Sequence, residues 1–155
     1  MRGFIRIFLI LVLLSSAWAG TSGQKPNPDY DSTLVRKLGA DERGMKMYVL
    51  VILRTGPNNV PAGARRDSLF RGHFSNMDRL AEAGKLVLAG PFDTNESSWR
   101  GLFIFNVPTV EEAKELVKTD PTVKERIFEV DFYRWYGSAA ISEYMPYDKK
   151  LKKSL

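Results

Sequence analysis

Apolar residues along this chain fall into blocks whose spacing switches between strand and helix periods. Met47 to Leu53, MYVLVIL, is a continuous apolar run rich in β-branched residues, the pattern of a central strand buried on both faces. Thr55 to Ala64 carries Gly56-Pro57, Asn58-Asn59, Pro61 and Gly63 and reads as a loop. From about Arg65 to Ala83 the period becomes helical. Phe70, Phe74, Met77 and Ala81 line one stripe, and Leu69 and Leu80 widen it. Asp67 suits the first turn of that helix, and Gly84 supplies the left-handed position past its end. Leu86 to Ala89 predicts a second strand, closed by Gly90-Pro91, and Gly101 to Val107 a third. Thr109 and Glu112 form a capping box ahead of a second helix with Val110, Ala113, Leu116 and Val117 on its apolar side. Pro121 ends that helix and pushes Asp120 out of helical geometry. In the fourth strand, Arg126 to Tyr136, Phe128, Val130 and Phe132 alternate with Glu129 and Asp131, so one face is apolar and one polar.

The order β-α-β-β-α-β predicts an α+β fold of the ferredoxin-like type. Its four strands form one antiparallel sheet, and two helices cover one face. The direction of each element then has a chemical consequence. If the first strand runs upward, one rim collects the end of that strand, the start of the first helix, the second strand's end, the third strand's start and the second helix's end. In residues this is Arg54, His73, Gly90-Pro91-Phe92, Trp99-Arg100 and Asp120. His73, the chain's only histidine, lies four residues after Leu69 and four before Met77, on the apolar side of its helix. An imidazole paired with a carboxylate has its tautomer fixed, the arrangement of a general base. Gly90 permits close approach of a ligand to the backbone. Arg54 or Arg100 can hold an anionic group, and Trp99 or Phe92 can line an apolar wall. Each residue also has a plainer role. His73 can be a packed side chain with one local hydrogen bond, Asp120 a turn former, and Gly90-Pro91 a strand terminator. Arg54, Trp99 and Arg100 can be rim residues.

Composition narrows the choices. The 155 residues suggest one domain, and the absence of cysteine excludes disulfides and thiolate chemistry. One histidine without cysteine leaves no usual zinc cluster, and no P-loop, nucleophile elbow or dinucleotide fingerprint occurs, so no metal or cofactor is expected. Arg2 and Arg6, the apolar run Ile7 to Leu14, and Ala17-Trp18-Ala19 have the form of a cleaved secretory signal over residues 1–19. From Ile7 to Ala19 falls short of the roughly 20 residues of a membrane span, so no stable anchor is expected after cleavage. Export to a periplasm or the exterior follows. Losing Arg2 and Arg6 takes 23 basic side chains to 21 against 18 acidic ones, so the formal +5 becomes +3. Much of that excess sits in Lys149-Lys150-Leu151-Lys152-Lys153, and no basic face interleaved with aromatics points to nucleic acid. The chain thus divides into a leader at 1–19, a linker at 20–44 with a short turn near Leu34 to Leu38, a folded domain at 45–137 and a basic tail at 138–155.

Two blocks carry a family resemblance. His73 with Leu80, Gly84, Lys85-Leu86 and Ala89-Gly90-Pro91 is the first, and Val110-Glu111-Glu112-Ala113 with Asp120-Pro121 is the second. In this order and spacing they resemble the YCII-related domain family over roughly Met45 to Tyr136. The resemblance implies a dimeric α/β barrel, in which the open sheet faces of two copies pair. It also implies a helix histidine and an Asp-Pro aspartate working as a pair, at the positions of His73 and Asp120. The chain departs from the family at Thr122, where an aromatic is usual, in its long loop before the first helix, and in its two termini. The expectation is an exported, homodimeric, cofactor-free acid–base enzyme of isomerase or lyase type. It would act on a small cyclic or anionic organic molecule through His73 and Asp120, with Gly90, Pro91, Arg54, Trp99 and Arg100 contacting the ligand. The alternative is a non-catalytic module that binds a small ligand or a partner. Expression in an exporting host and sequencing of the mature N-terminus tests the leader: the first residue is expected to be Gly20, and an intact Met1 refutes cleavage.

Overall fold

The most apolar run of the sequence becomes the middle of the sheet. Strand β1, Met45–Thr55, pairs antiparallel with β3, Trp99–Phe105, on one side and with β4, Phe128–Ser138, on the other. Strand β2, Leu86–Pro91, adds to β3 and completes the order β2-β3-β1-β4. This is the expected ferredoxin-like sheet. The structure, a computed structural model, describes residues 25, 27–151 and 153. The leader expected at 1–19 lies outside the described residues. Asp31–Leu155 forms one compact unit, and of Met1–Tyr30, a separate unit, only residues 25 and 27–30 are described. Among the described residues no helix is long and apolar enough to cross a membrane.

β1 is sandwiched because its side chains alternate between two apolar layers. Val49, Val51 and Leu53 join Phe103 and Phe105 from β3 on the helix side. There they meet Leu80 of α2, Ala64–Glu82, and Ala113 and Val117 of α3, Val110–Val117. Phe128, Val130 and Phe132 pack against the same cluster from β4, as their alternation predicts. Thr109 caps α3 by accepting from the Glu112 N–H at 3.2 Å, half of the expected capping box, and Gly84 takes φ +66° just beyond α2.

The opposite sheet face has its own smaller cluster, Tyr48, Val87 and Ile104, with Leu88, Trp135 and Ile141 against it. Ile141 belongs to the segment after β4. This segment continues as a 3-10 helix, Ala139–Glu143, and as α5, Met145–Leu151. The Tyr48 hydroxyl donates to the Ser138 carbonyl at 3.0 Å and lies 3.3 Å from the Ala139 carbonyl, fastening the segment to the middle of the sheet. Within the stretch read as a linker, Asp31 caps a helix α1, Ser32–Leu38, through its side chain, and Gly39 closes it at φ +67°. The sequence reading placed only a turn there, because seven residues with one buried apolar side chain carry almost no periodic signal.

Replacing Tyr48 by Phe removes the hydroxyl and leaves the ring in place. The expected loss is about 1 kcal/mol of unfolding free energy, the net worth of a typical buried hydrogen bond. Denaturant titration measures the loss, and limited proteolysis should show earlier cleavage after Ser138. An unchanged variant would mean that Ile141 packing alone holds the segment.

Candidate active site

The sequence Asp120-Pro121-Thr122 builds a carboxylate holder from three consecutive residues. Asp120 is the N-cap of the four-residue helix α4, Pro121–Lys124, with extended backbone at φ −79° and ψ 121°. Pro121 occupies the first helical position, where its fixed φ is preset and its missing N–H is not needed. Thr122 then donates twice to Asp120 Oδ1, from its backbone N–H at 2.9 Å and from its hydroxyl at 2.7 Å. The remaining oxygen, Oδ2, is directed at His73 Nδ1, 2.6 Å away. The departure from the family pattern at Thr122 therefore has a structural role: a hydroxyl that fixes the carboxylate.

Helix α2 brings the imidazole to this carboxylate. Gly72, the residue before His73, lets the two helices touch, because a Cβ there would lie 2.8 Å from Pro121 Cγ. The meeting point is deeply buried: His73 is 6 % exposed, Asp120 2 % and Thr122 0 %. Burial, the largest single influence on Asp120, pushes its carboxyl up. The hydrogen bonds from His73 and Thr122 together outweigh it and hold the carboxyl below its ordinary value. An ionised carboxylate only accepts, so Nδ1 must be the donor, and the neutral ring then presents Nε2 as a lone pair. Among the described residues no buried side-chain nitrogen or oxygen lacks a partner, and His73 lines a cavity, so Nε2 reaches that cavity.

The cavity has a volume of about 600 Å³ and lies between α2, the sheet and the loop after β1. Four phenylalanines flank the imidazole ring. Phe103 lies roughly parallel to it, with ring centres 6.0 Å apart, and Phe74, Phe128 and Phe70 present edges at 5.3, 5.8 and 6.2 Å. Such walls favour a flat apolar guest.

The structure sorts the sequence-predicted site residues into two groups. His73 and Asp120 form the expected pair, and Gly90, Pro91 and Arg100 line the cavity with His73. Asp120 lies behind the ring and is not in the wall. Arg54 is on the opposite face of the sheet, where Asp131 holds its Nε at 2.5 Å and Glu129 lies 3.7 Å from Nη1. Its neighbour Leu53 lines the cavity instead, since adjacent strand positions face opposite ways. Trp99 packs on Phe92, with ring centres 5.4 Å apart, and neither is in the cavity wall. An added Cβ at Gly90 would meet nothing within 4 Å, so packing does not require glycine there.

Arg100 is in the cavity lining, at a position where the β1–β3 register breaks. Leu53 pairs with Gly101 and Arg54 with Trp99, so Arg100 is the extra residue of a β-bulge, a device that re-aims a side chain. Sequence reasoning missed the wall residues Arg66, Phe70, Phe74, Phe103 and Phe128 as site members. Four of the five are apolar residues that had been assigned to stripes and strands. The spacing of Phe70 and Phe74 around His73 on one helix face was the available signal.

No curated protein matches the chain. Among solved structures it is similar to the 5-chloro-2-hydroxyhydroquinone dehydrochlorinase of Burkholderia phenoliruptrix AC1100, solved in complex with 2,5-dihydroxybenzoquinone. The likeness has 20% identity and a TM-score of 0.40, over 56% of this chain and 92% of that one. The model of the YCII-related domain family matches residues 47–135, more than half of the chain. The chain belongs to the YCII-related domain family.

Proposed function

We propose that this protein is a cofactor-free acid–base enzyme in which His73 moves a proton on a small organic molecule. The observation that carries the reading is the 2.6 Å contact between His73 Nδ1 and the anionic, doubly anchored Asp120, with Nε2 left to the cavity. Nε2 takes a proton from a carbon next to a carbonyl group, and the C–H electron pair moves into the carbonyl as an enolate. The imidazolium that forms is held by the Asp120 carboxylate. Return of the proton to a different carbon gives isomerisation. Collapse of the enolate with departure of a group on the neighbouring carbon, which takes its bonding pair with it, gives elimination. The phenylalanines around the ring support this by offering a flat apolar guest a surface that holds it beside Nε2.

Export and pairing of two copies belong to the same proposal. Leu50, Leu102 and Tyr133 on the open sheet face are only partly covered within the chain, and a second copy's sheet would cover them. The competing reading, a module that binds a small ligand without turnover, uses the same cavity and differs only in what Nε2 does.

A substrate screen on the wild type and on His73→Ala and Asp120→Ala, with stability measured alongside, separates these readings. Loss of the base lowers kcat by about 10²- to 10⁴-fold while the fold survives. Ligand binding with no turnover in any protein assigns the binding module. Unfolding of both variants, with no ligand signal in the wild type, makes the pair structural.

Asp120 also gives the stability a pH signature. Its folded carboxyl lies below the unfolded one, so the pair stabilises the fold fully above the unfolded value. That contribution is lost as pH falls through the folded one. Asp120→Asn should therefore be less stable than wild type near pH 7. The gap should close as pH falls below the ordinary carboxylate range, where the wild-type carboxyl takes up its proton. Denaturant midpoints across that range measure it, and a constant gap refutes the assignment.

A further inference from the structure

The cavity beside His73 is electrically one-sided. Its lining contains Arg66 and Arg100 and not one aspartate or glutamate. Three arginines elsewhere among the described residues are paired with a carboxylate: Arg54 with Asp131, Arg65 with Glu125, Arg126 with Glu129. Arg100, the extra residue of the bulge, makes no side-chain hydrogen bond or ion pair among the described residues. Arg66 is held at two points without being neutralised. Its Nη1 donates to the Val60 carbonyl at 3.0 Å, and its guanidinium lies 4.9 Å from the centre of the Phe70 ring. That leaves most of its five donors free. Neither arginine can shed its charge, and each presents a planar fork that matches a carboxylate.

The rest of the wall fixes the other half of the guest. Phe70, Phe74, Phe103 and Phe128 line the same cavity, around the imidazole. A volume of about 600 Å³ falls in the range of small-molecule pockets and accommodates a substituted ring. Inorganic phosphate would satisfy the arginines but leave the aromatic walls against water. A neutral ring would fill the walls and leave two cations without a partner.

We infer that the site selects a small ring-bearing carboxylate, with Arg66 and Arg100 holding the carboxylate and the phenylalanines holding the ring against His73. The inference rests on the proposed use of this cavity as a small-molecule site and names the class of molecule it takes. It does not require turnover.

Titration calorimetry of the full chain with benzoate, benzamide and inorganic phosphate tests it. Benzoate should bind about tenfold or more tightly than either of the others, the difference made by one charge-assisted contact. Arg66→Gln and Arg100→Gln should each weaken benzoate by about tenfold and leave benzamide unchanged. Thermal melts verify that both variants fold. Equal binding of benzoate and benzamide overturns the inference, as does benzoate affinity indifferent to both substitutions or no benzoate binding at millimolar concentration. Phosphate binding as tight as benzoate overturns it too and makes this a simple anion site. His73→Gln separates the two proposals. Retained arginine-dependent benzoate binding with no turnover in any protein leaves the carboxylate site standing and the acid–base reading refuted. Turnover that needs His73 but ignores both arginines does the reverse.

Discussion

The hydrogen bond between His73 and Asp120 organises this molecule because burial opposes the charge that makes the bond strong. A carboxylate at 2 % exposure would ordinarily take up a proton. Three donors prevent it, and all three are supplied by two short pieces of chain: Thr122 twice, from the next turn, and His73 once, from α2. Gly72 and Pro121 make the geometry feasible by bringing the two pieces into backbone-level contact. Chain direction, a glycine, a proline and a threonine are thus all needed before the imidazole has a fixed orientation.

The parts of this that could be read from the sequence are the ones that follow from direction and period. Counting reversals along β-α-β-β-α-β delivers His73 and Asp120 to one rim without any knowledge of side chains. The parts that could not be read depend on a single residue of register. Arg54 looks like a rim cation, but strand alternation turns it to the far face, where Asp131 and Glu129 take it. Arg100 looks equivalent, yet it joins the cavity lining at a bulge that no local pattern announces. Thr122 reads as a departure from its family, and only coordinates reveal that its hydroxyl supports the carboxylate. Phe70, Phe74, Phe103 and Phe128 are ordinary core residues by pattern. They become a wall because the core stops short of filling the space around His73.

The sheet divides its labour by face. The helix side carries the main cluster and, at one end, the cavity. The other side is closed locally by the segment after β4, with Ile141 over Val87 and Ile104 and the Tyr48 hydroxyl tied to Ser138. The elements after β4 thus cover part of a face that a bare four-stranded sheet leaves open. The short helix α1 meets that segment, where Lys37 and Glu143 form an exposed ion pair at 3.0 Å. Such a pair adds little stability by itself.

The bulge at Arg100 bears on how this scaffold can change over evolutionary time. Ligand preference in most enzymes drifts by exchange of one side chain for another. Here deletion of the one residue between Trp99 and Gly101, Arg100 itself, would restore regular pleating with Trp99 still opposite Arg54. The cavity would lose a cation through a change of length and not through a substitution. Length polymorphism at this strand end, as much as composition, is therefore a route by which descendants of this protein can acquire new chemistry.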